Sequence, residues 1–286
     1  MTPVLTSAEF QTFSRLVYDL TGIALDDTKA YLIENRLGPL LQTHLCSSFS
    51  ELYFKTKNDT KGELKQSVID RITTQETSFF RDQAPFEMLK FKLLPELIDS
   101  RRRQSSPAAR LPIRIWSAAC STGQEVYSVA IALKEALGDL SSYSLKIVGT
   151  DISDSAVAKA SSGVYSRYEW ERGMGPEHLA RYFNKNGDSY KVNDEIRSLV
   201  SFRRLNLFED FESAGRWDIV FCRNVAIYFS DDDKKSLFER IARVMERDAS
   251  LVIGSTESLL GICPGFESQR HLRSIYYRKK TPVPAA

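Results

Sequence analysis

Apolar residues recur at intervals of three and four over the first seventy positions. From residue 113 onward they gather instead into short runs separated by amphipathic stretches. The first texture is helical, because those intervals place side chains on one face of a 3.6-residue turn. Phe10, Phe13, Val17 and Leu20 form one stripe, and Leu32, Ile33, Leu37, Leu40 and Leu41 a second, with Gly38-Pro39 expected to kink or end its helix. Thr6 to Glu9, Ser48 to Glu51 and Thr60 to Glu63 each fit the S/T-x-x-E pattern, in which two side chains satisfy otherwise orphaned N–H groups. A small helical domain over residues 1–72 is therefore predicted.

The second texture alternates strands with helices, which is the signature of a parallel sheet with helical crossovers. Predicted strands are IRIW (113–116), LKIVGT (145–150), VSFRRL (200–205), WDIVFC (217–222) and SLVIGS (250–255), with helices over 124–137, 153–161 and 231–246. An open α/β domain over residues 85–286 follows, carrying an inserted β-hairpin subdomain at about 183–205. Residues 73–84, containing TTQETSFFRD, join the halves; they are too polar for a core strand and too aromatic for an idle linker, and should contribute to the site.

Ligands of an open parallel sheet sit beyond the carboxyl ends of the strands. WSAACSTGQEVYS (116–128) lies there, and Ala118, Ala119, Ser121 and Gly123 allow close approach to the backbone. A dinucleotide requires G-x-G-x-x-G and a nucleoside triphosphate requires G-x-x-x-x-G-K-[ST], whereas this turn has one glycine and no lysine. A hydrolase would need Ser121 or Cys120 on a nucleophile elbow with a histidine in reach, and His44, His178 and His271 form no such arrangement. A nucleoside without phosphates remains. Glu125 at the helix start suits an ammonium, and Asp151, ending GTDIS, suits ribose hydroxyls. Asn206 and Leu207, ending the third strand, suit an adenine, and Arg223 and Asn224 end the fourth. An adenosine joined to an amino acid is S-adenosylmethionine. A nicotinamide oxidoreductase is disfavoured by the single-glycine turn.

Composition narrows the class. Of 286 residues, 42% are hydrophobic and 27% charged, with 16 Phe and 12 Tyr, ordinary for a globular chain long enough for two domains. A net charge of +2 argues against nucleic acid as a partner. The start MTPVLTSAEF has no leader pattern and no apolar run approaches a membrane span, so a cytoplasmic protein without membrane insertion is expected. Cys46, Cys120, Cys222 and Cys263 are scattered, with no C-x-x-C pair and no nearby histidine at metal spacing, so they read as small apolar fillers and no metal site is expected. Arg101, Arg102, Arg103, Arg110 and Arg114 gather around QSSPAARLP, either as a solvated loop or as a landing site for an acidic partner.

The stretches TSFFRD, WSAACSTGQEVYS, GTDIS, LNLF and FCRNVAIYF, in this order and spacing, resemble the CheR family of chemotaxis-receptor methyltransferases over nearly the whole chain. The resemblance implies a doubly wound Rossmann-like methyltransferase domain with a small β-hairpin subdomain, preceded by an all-helical domain. It implies transfer of a methyl group from S-adenosylmethionine to glutamate side chains on the cytoplasmic helical bundle of methyl-accepting chemotaxis receptors, with S-adenosylhomocysteine as product. It maps Thr77, Arg81, Ala118, Glu125, Asp151, Asn206, Leu207, Arg223 and Asn224 onto cofactor-binding positions, and Arg81 and Tyr228 onto residues near the transferred methyl. A monomer recruited to membrane receptor arrays is expected.

Three departures bear on the turn and on docking. Gln124 and Val126 stand where the family often shows Glu and Pro. Residues 1–70 hold seven Lys and Arg against nine Asp and Glu, a net of −2, so no basic docking face is evident. YFNKNGDSYKV is short for gripping a receptor's C-terminal pentapeptide, so tail-independent docking is expected. A glutamate carboxylate, with a pKa of roughly 4.3, is already the nucleophile at neutral pH and requires no base. Arg81 could steer the acceptor or contact the cofactor's carboxylate, and Tyr228 could aim its hydroxyl at the acceptor or pack as an aromatic. Phe79 and Phe80 read as anchors fixing the linker. A non-catalytic sensor of the same cofactor is the alternative function.

Overall fold

A computed structural model describes residues 3–104, 106, 109–212 and 215–280. Its first part is four helices, α1 (Ser7–Thr21), α2 (Ala30–Thr43), α3 (Phe49–Lys57) and α4 (Glu63–Ile72), around Phe13, Val17, Ile33, Leu37, Phe49, Leu52 and Val68. The capping signals act unequally. Thr6 and Glu9 close a full reciprocal cap. Ser48 caps α3 through the Glu51 N–H, but the Glu51 carboxylate turns to Ser47. The Thr60 box does not form. Asp59, one residue earlier, accepts from the N–H groups of Lys61, Gly62, Leu64 and Lys65, because two carboxylate oxygens satisfy more orphan donors than one hydroxyl. Nor does Pro39 end α2, which runs on to Thr43; the proline is exposed, and the Asn35 carbonyl it orphans also lies on the exposed face, where water can satisfy it.

Residues 84–104, left without an element by the hydrophobic pattern, form a continuous helical run: α5 (Ala84–Met88), a π-helical turn (Leu89–Leu93) and α6 (Leu94–Gln104). The chain then alternates as predicted: β1 (Leu111–Ala118), α7 (Gln124–Leu137), β2 (Tyr143–Asp151) and α8 (Asp154–Ser162). A subdomain follows, comprising β3 (Val164–Ser166), α9 (Arg167–Glu171), α10 (Pro176–Tyr182), β4 (Phe183–Asn186), β5 (Ser189–Val192) and α11 (Asp194–Arg197). The remaining elements are β6 (Val200–Arg204), β7 (Trp217–Cys222), a 3-10 turn (Ala226–Tyr228), α12 (Asp231–Val244), β8 (Met245–Ile253), β9 (Phe266–His271) and β10 (Ser274–Lys279).

The main sheet has the order β6-β2-β1-β7-β8-β10-β9. β6, β2, β1, β7 and β8 are parallel, and β10 runs antiparallel to both its neighbours. This is the doubly wound α/β architecture expected from the sequence. The order reverses between β1 and β7, and such a switch point opens a crevice at the strands' carboxyl ends. The β9–β10 hairpin was not foreseen, since Phe266 is the only buried residue of β9 and a one-residue signal carries no alternation. The insertion also differs from the expected 183–205. It is a three-stranded sheet, β3-β5-β4, that recruits Val164–Ser166, whereas Val200–Arg204 joins the main sheet beside β2. As an edge strand with no fully buried residue, β6 looks in sequence like part of a hairpin.

The arginine cluster is largely consumed internally. Arg101 and Arg114 both pair with the fully buried Asp218, and reach Asp248 and Glu246 as well, while Arg110 donates to the Tyr143 carbonyl. Arg101 thus ties α6 to β7 and β8, while Arg102 and Arg103 stay exposed.

The helical part sits against the crevice. Gly22, which ends α1 at φ 73°, packs so closely on Phe208 that a Cβ there would lie 1.9 Å from the ring. Ala24 N–H donates to the Tyr228 carbonyl at 3.2 Å, and Asn206 Nδ2 to the Leu20 carbonyl at 3.1 Å. Among the described residues, no helix is long and apolar enough to cross a membrane.

Candidate active site

The crevice is a cleft partly open to solvent, with about 970 Å³ of space between its walls when the open mouth is counted. Four strand ends, the linker and the start of the α1–α2 connection wall it. Thr77, Arg81, Glu125, Asp151, Asn206, Leu207, Arg223, Asn224 and Tyr228 all line it. Ala118 does not. It is the last residue of β1, paired with Thr150, and its side chain packs in the core with Trp116 and Val148; the chain turns outward only at Ala119 (φ 54°), which lines the cleft instead.

The turn after β1 holds a strained backbone. Ala119 and Ser121 take positive φ, and so do Asn224 after β7 and Phe80, Asp82 and Gln83 in the linker. Such conformations cost of order 1–3 kcal/mol each and gather at functional sites. Gly123 is the one position in the turn where glycine is obligatory: its φ is 94°, and a Cβ would stand 2.7 Å from that of Ala160.

Asp151 is the best-placed acid. Its carboxylate accepts from the Ser121 N–H at 2.8 Å and the Ser153 N–H at 3.0 Å, which orients it at the carboxyl end of β2 with no cation attached. Burial pushes its pKa above the ordinary aspartate value, against the opposing pull of those two N–H bonds. Beside it, Ser121 Oγ is buried without a partner. Burial also pushes the Cys120 thiol well up, helped by Asp151 and Glu125, so no thiolate nucleophile is available. No histidine lines the cleft; His178 pairs with Glu135 and stacks on Phe80.

Glu125 and Arg223 are bound to each other at 2.8 Å, and Ser117 donates to the second Glu125 oxygen. Arg223, its side chain only 2% exposed, also reaches Asp82 at 2.6 Å and the Arg81 carbonyl at 3.1 Å. It thus locks α7, β7 and the linker together. Asn206 is similarly engaged: its amide donates to Leu20 and its carbonyl accepts from Phe208 N–H. The linker is anchored by Phe79, fully buried edge-on against Tyr165 and Phe183, and by the Phe80 N–H on Ser128 Oγ at 2.9 Å. Glu76 pairs with Arg172, which holds its carboxyl below the usual range. Arg81 donates to the Glu76 carbonyl at 3.2 Å and forms no ion pair among the described residues.

The charges that remain open are therefore one buried carboxylate, Asp151, and one guanidinium, Arg81. Glu76, Glu125 and Asp151 against Arg81 and Arg223 leave the lining at a formal −1, which repels a polyphosphate and tolerates a cation. An orphaned hydroxyl, a backbone-oriented acid and close-approach backbone fit S-adenosylmethionine. Sequence reasoning missed Gln75, Ile23 and Phe229 among the lining residues, because nothing in a polar linker or a helix connection signals which side chains will face a cleft.

The profile for the CheR methyltransferase SAM-binding domain matches residues 75–271, and that for the CheR methyltransferase all-alpha domain matches residues 8–73. Chemotaxis protein methyltransferase 1 of Pseudomonas aeruginosa is 38% identical over 279 residues, covering 96% of this chain and 98% of that one. Chemotaxis protein methyltransferase 1 of Vibrio cholerae is 37% identical with the same coverage. The chemotaxis protein methyltransferase of Borreliella burgdorferi is 33% identical over 90% of both chains. Two profiles laid end to end, and relatives matched over almost their full length, establish that this chain belongs to the CheR methyltransferase family.

Proposed function

We propose that this protein transfers a methyl group from S-adenosylmethionine to glutamate carboxylates of chemoreceptor cytoplasmic domains, forming methyl esters for sensory adaptation. The observation that carries the reading is the convergence of Asp151, Glu125, Asn206 and Arg223, from four successive strand ends, on one cleft without a phosphate-binding loop. Its relatives' names supply the acceptor: they are chemotaxis protein methyltransferases.

In this reading Asp151 takes the ribose hydroxyls, Leu207 the adenine face, and the turn Ala119–Ser121 approaches the methionine portion. Bound there, S-adenosylmethionine supplies an electrophilic methyl on a sulfonium. The acceptor carboxylate, ionised at neutral pH, attacks without a general base, in keeping with a cleft that no histidine lines. The protein's work is alignment and exclusion of water. Arg81, with no carboxylate of its own, steers the acceptor, and half-buried Tyr228 on the 3-10 turn after β7 bounds the transfer site. Thr77 and Asn224 line the same cleft. The weakly charged helical part and the short β4–β5 turn favour docking that does not depend on a receptor tail.

Incubation with methyl-labelled S-adenosylmethionine and receptor-containing membranes tests this. Label released as methanol by mild base identifies carboxyl esters. Base-stable label would assign another acceptor, and absence of label together with tight S-adenosylhomocysteine binding would favour a cofactor sensor.

A further inference from the structure

Glu257 lies on the short turn after β8 and does not line the cleft, yet its side chain reaches across to the strand end that does. Glu257 Oε2 accepts from the Asn224 N–H and from the Gly254 N–H, each at 2.7 Å. Asn224 follows β7 and Gly254 follows β8, and these two strands are parallel neighbours. One carboxylate oxygen thus bridges the backbones of adjacent strand ends on the edge where the cleft opens. The Glu257 N–H closes its own turn onto the Gly254 carbonyl at 3.0 Å, so the side chain is presented from a fixed base.

Two features indicate that the geometry at Asn224 depends on this bridge. Asn224 has φ 57°, the left-handed region, which asparagine enters more readily than other residues with a Cβ but which is still less favourable than negative φ. Gly254 is packed so tightly that a Cβ would lie 2.6 Å from Glu257 Oε2 and 2.8 Å from Asn224 Nδ2, so a side chain there would have to displace the bridging carboxylate or the Asn224 amide. The other Glu257 oxygen is buried with no partner. Burying half a carboxylate unsatisfied is costly, and the two short charge-assisted bonds on the other oxygen are what offset it.

We infer that Glu257 is a positioning residue: by capturing the Asn224 and Gly254 N–H groups it holds Asn224 left-handed and so aims the segment Arg223–Tyr228 into the cleft. Four residues of that segment, Arg223, Asn224, Val225 and Tyr228, line the cleft. Glu257 touches none of the reacting atoms. Its kinetic consequence rests on the methyl transfer proposed above; its structural consequence does not.

Glu257→Ala and Glu257→Gln separate the roles. Glutamine keeps a carbonyl oxygen able to accept both N–H bonds, and alanine keeps none. By amide hydrogen exchange of the full chain, the Asn224 and Gly254 amides should be protected in the wild type and in Glu257→Gln, and exposed in Glu257→Ala. Turnover at saturating cofactor and receptor should fall about ten-fold or more in Glu257→Ala, equivalent to about 1.4 kcal/mol of barrier, with KM for receptor nearly unchanged and Glu257→Gln rescuing most of the loss. Unchanged exchange at both amides in Glu257→Ala overturns the inference, whatever the activity. So does equal loss of turnover in both variants, which would assign Glu257's effect to its charge. If the wild type transfers no methyl, the proposed activity falls, and the exchange measurement still decides whether the bridge exists.

Discussion

Arg223 sits where three walls of the cleft meet, and its removal should be felt both in stability and in binding. Arg223→Met deletes a guanidinium bonded to Glu125, Asp82 and the Arg81 carbonyl while retaining much of the buried stem. Removing one partner of a buried pair costs about 3–5 kcal/mol, because the remaining charge stays buried without compensation. Here the figure belongs at the low end. Glu125 is 13% exposed and keeps the Ser117 hydroxyl, while Asp82 is 38% exposed and can be rehydrated. A loss of about 3 kcal/mol at roughly 2–4 °C per kcal/mol lowers Tm by about 6–12 °C in scanning calorimetry. S-adenosylhomocysteine affinity should fall as the linker loses its tie. If the cost comes from the orphaned Glu125 carboxylate, Glu125→Gln placed in the same chain should recover part of the Tm loss. A double variant less stable than Arg223→Met would refute that account.

Further outcomes test individual side chains. Asp151→Ala should weaken S-adenosylhomocysteine binding by roughly 10- to 150-fold in titration calorimetry, the equivalent of about 1.5–3 kcal/mol for a lost charge-assisted hydrogen bond; an unchanged dissociation constant would remove Asp151 from the site. Because burial raises the Asp151 pKa, binding that needs its ionised form should be strongest above that raised value and decline as pH falls through it, earlier than an ordinary aspartate would allow. The same group acts oppositely on folding: keeping it charged costs stability above its raised pKa, and that cost disappears as it protonates. A binding profile flat down to the ordinary aspartate range would contradict this. Arg81→Ala should cut turnover far more than Tm, since the side chain is half-buried and its hydrogen bond is to the Glu76 carbonyl; equal losses would make it a structural residue.

Much of the architecture is written locally. Stripes spaced by three and four, such as Phe10, Phe13 and Val17, announce a helix because one face must be buried. Buried parallel strands such as WDIVFC read as near-continuous apolar runs, interrupted here only by Asp218, because both faces are covered. The chemistry of the turn was also local: one glycine, no lysine and an acid at the helix start exclude phosphates wherever the turn lies in space. Short-range competition was harder to judge, as at α4, where Asp59 took the N–H groups expected for the Thr60 box.

Partnership at long range was decided only in three dimensions. Nothing in VSFRR states that it will edge the main sheet instead of joining a hairpin, because a strand with no fully buried residue is defined by its neighbour and not by its own pattern. Ala118 and Ala119 are indistinguishable as letters, yet the end of β1 sends one side chain into the core and the backbone of the other into the cleft. The pairing of Arg223 with Asp82 spans 141 residues and the bond from Asn224 to Glu257 spans 33. Sequence determined which residues could bind the cofactor's chemical groups, since residue type and strand-end position carry that information. Tertiary structure decided which remain free to do so, since a charge or amide is available only after the fold has assigned all its other partners.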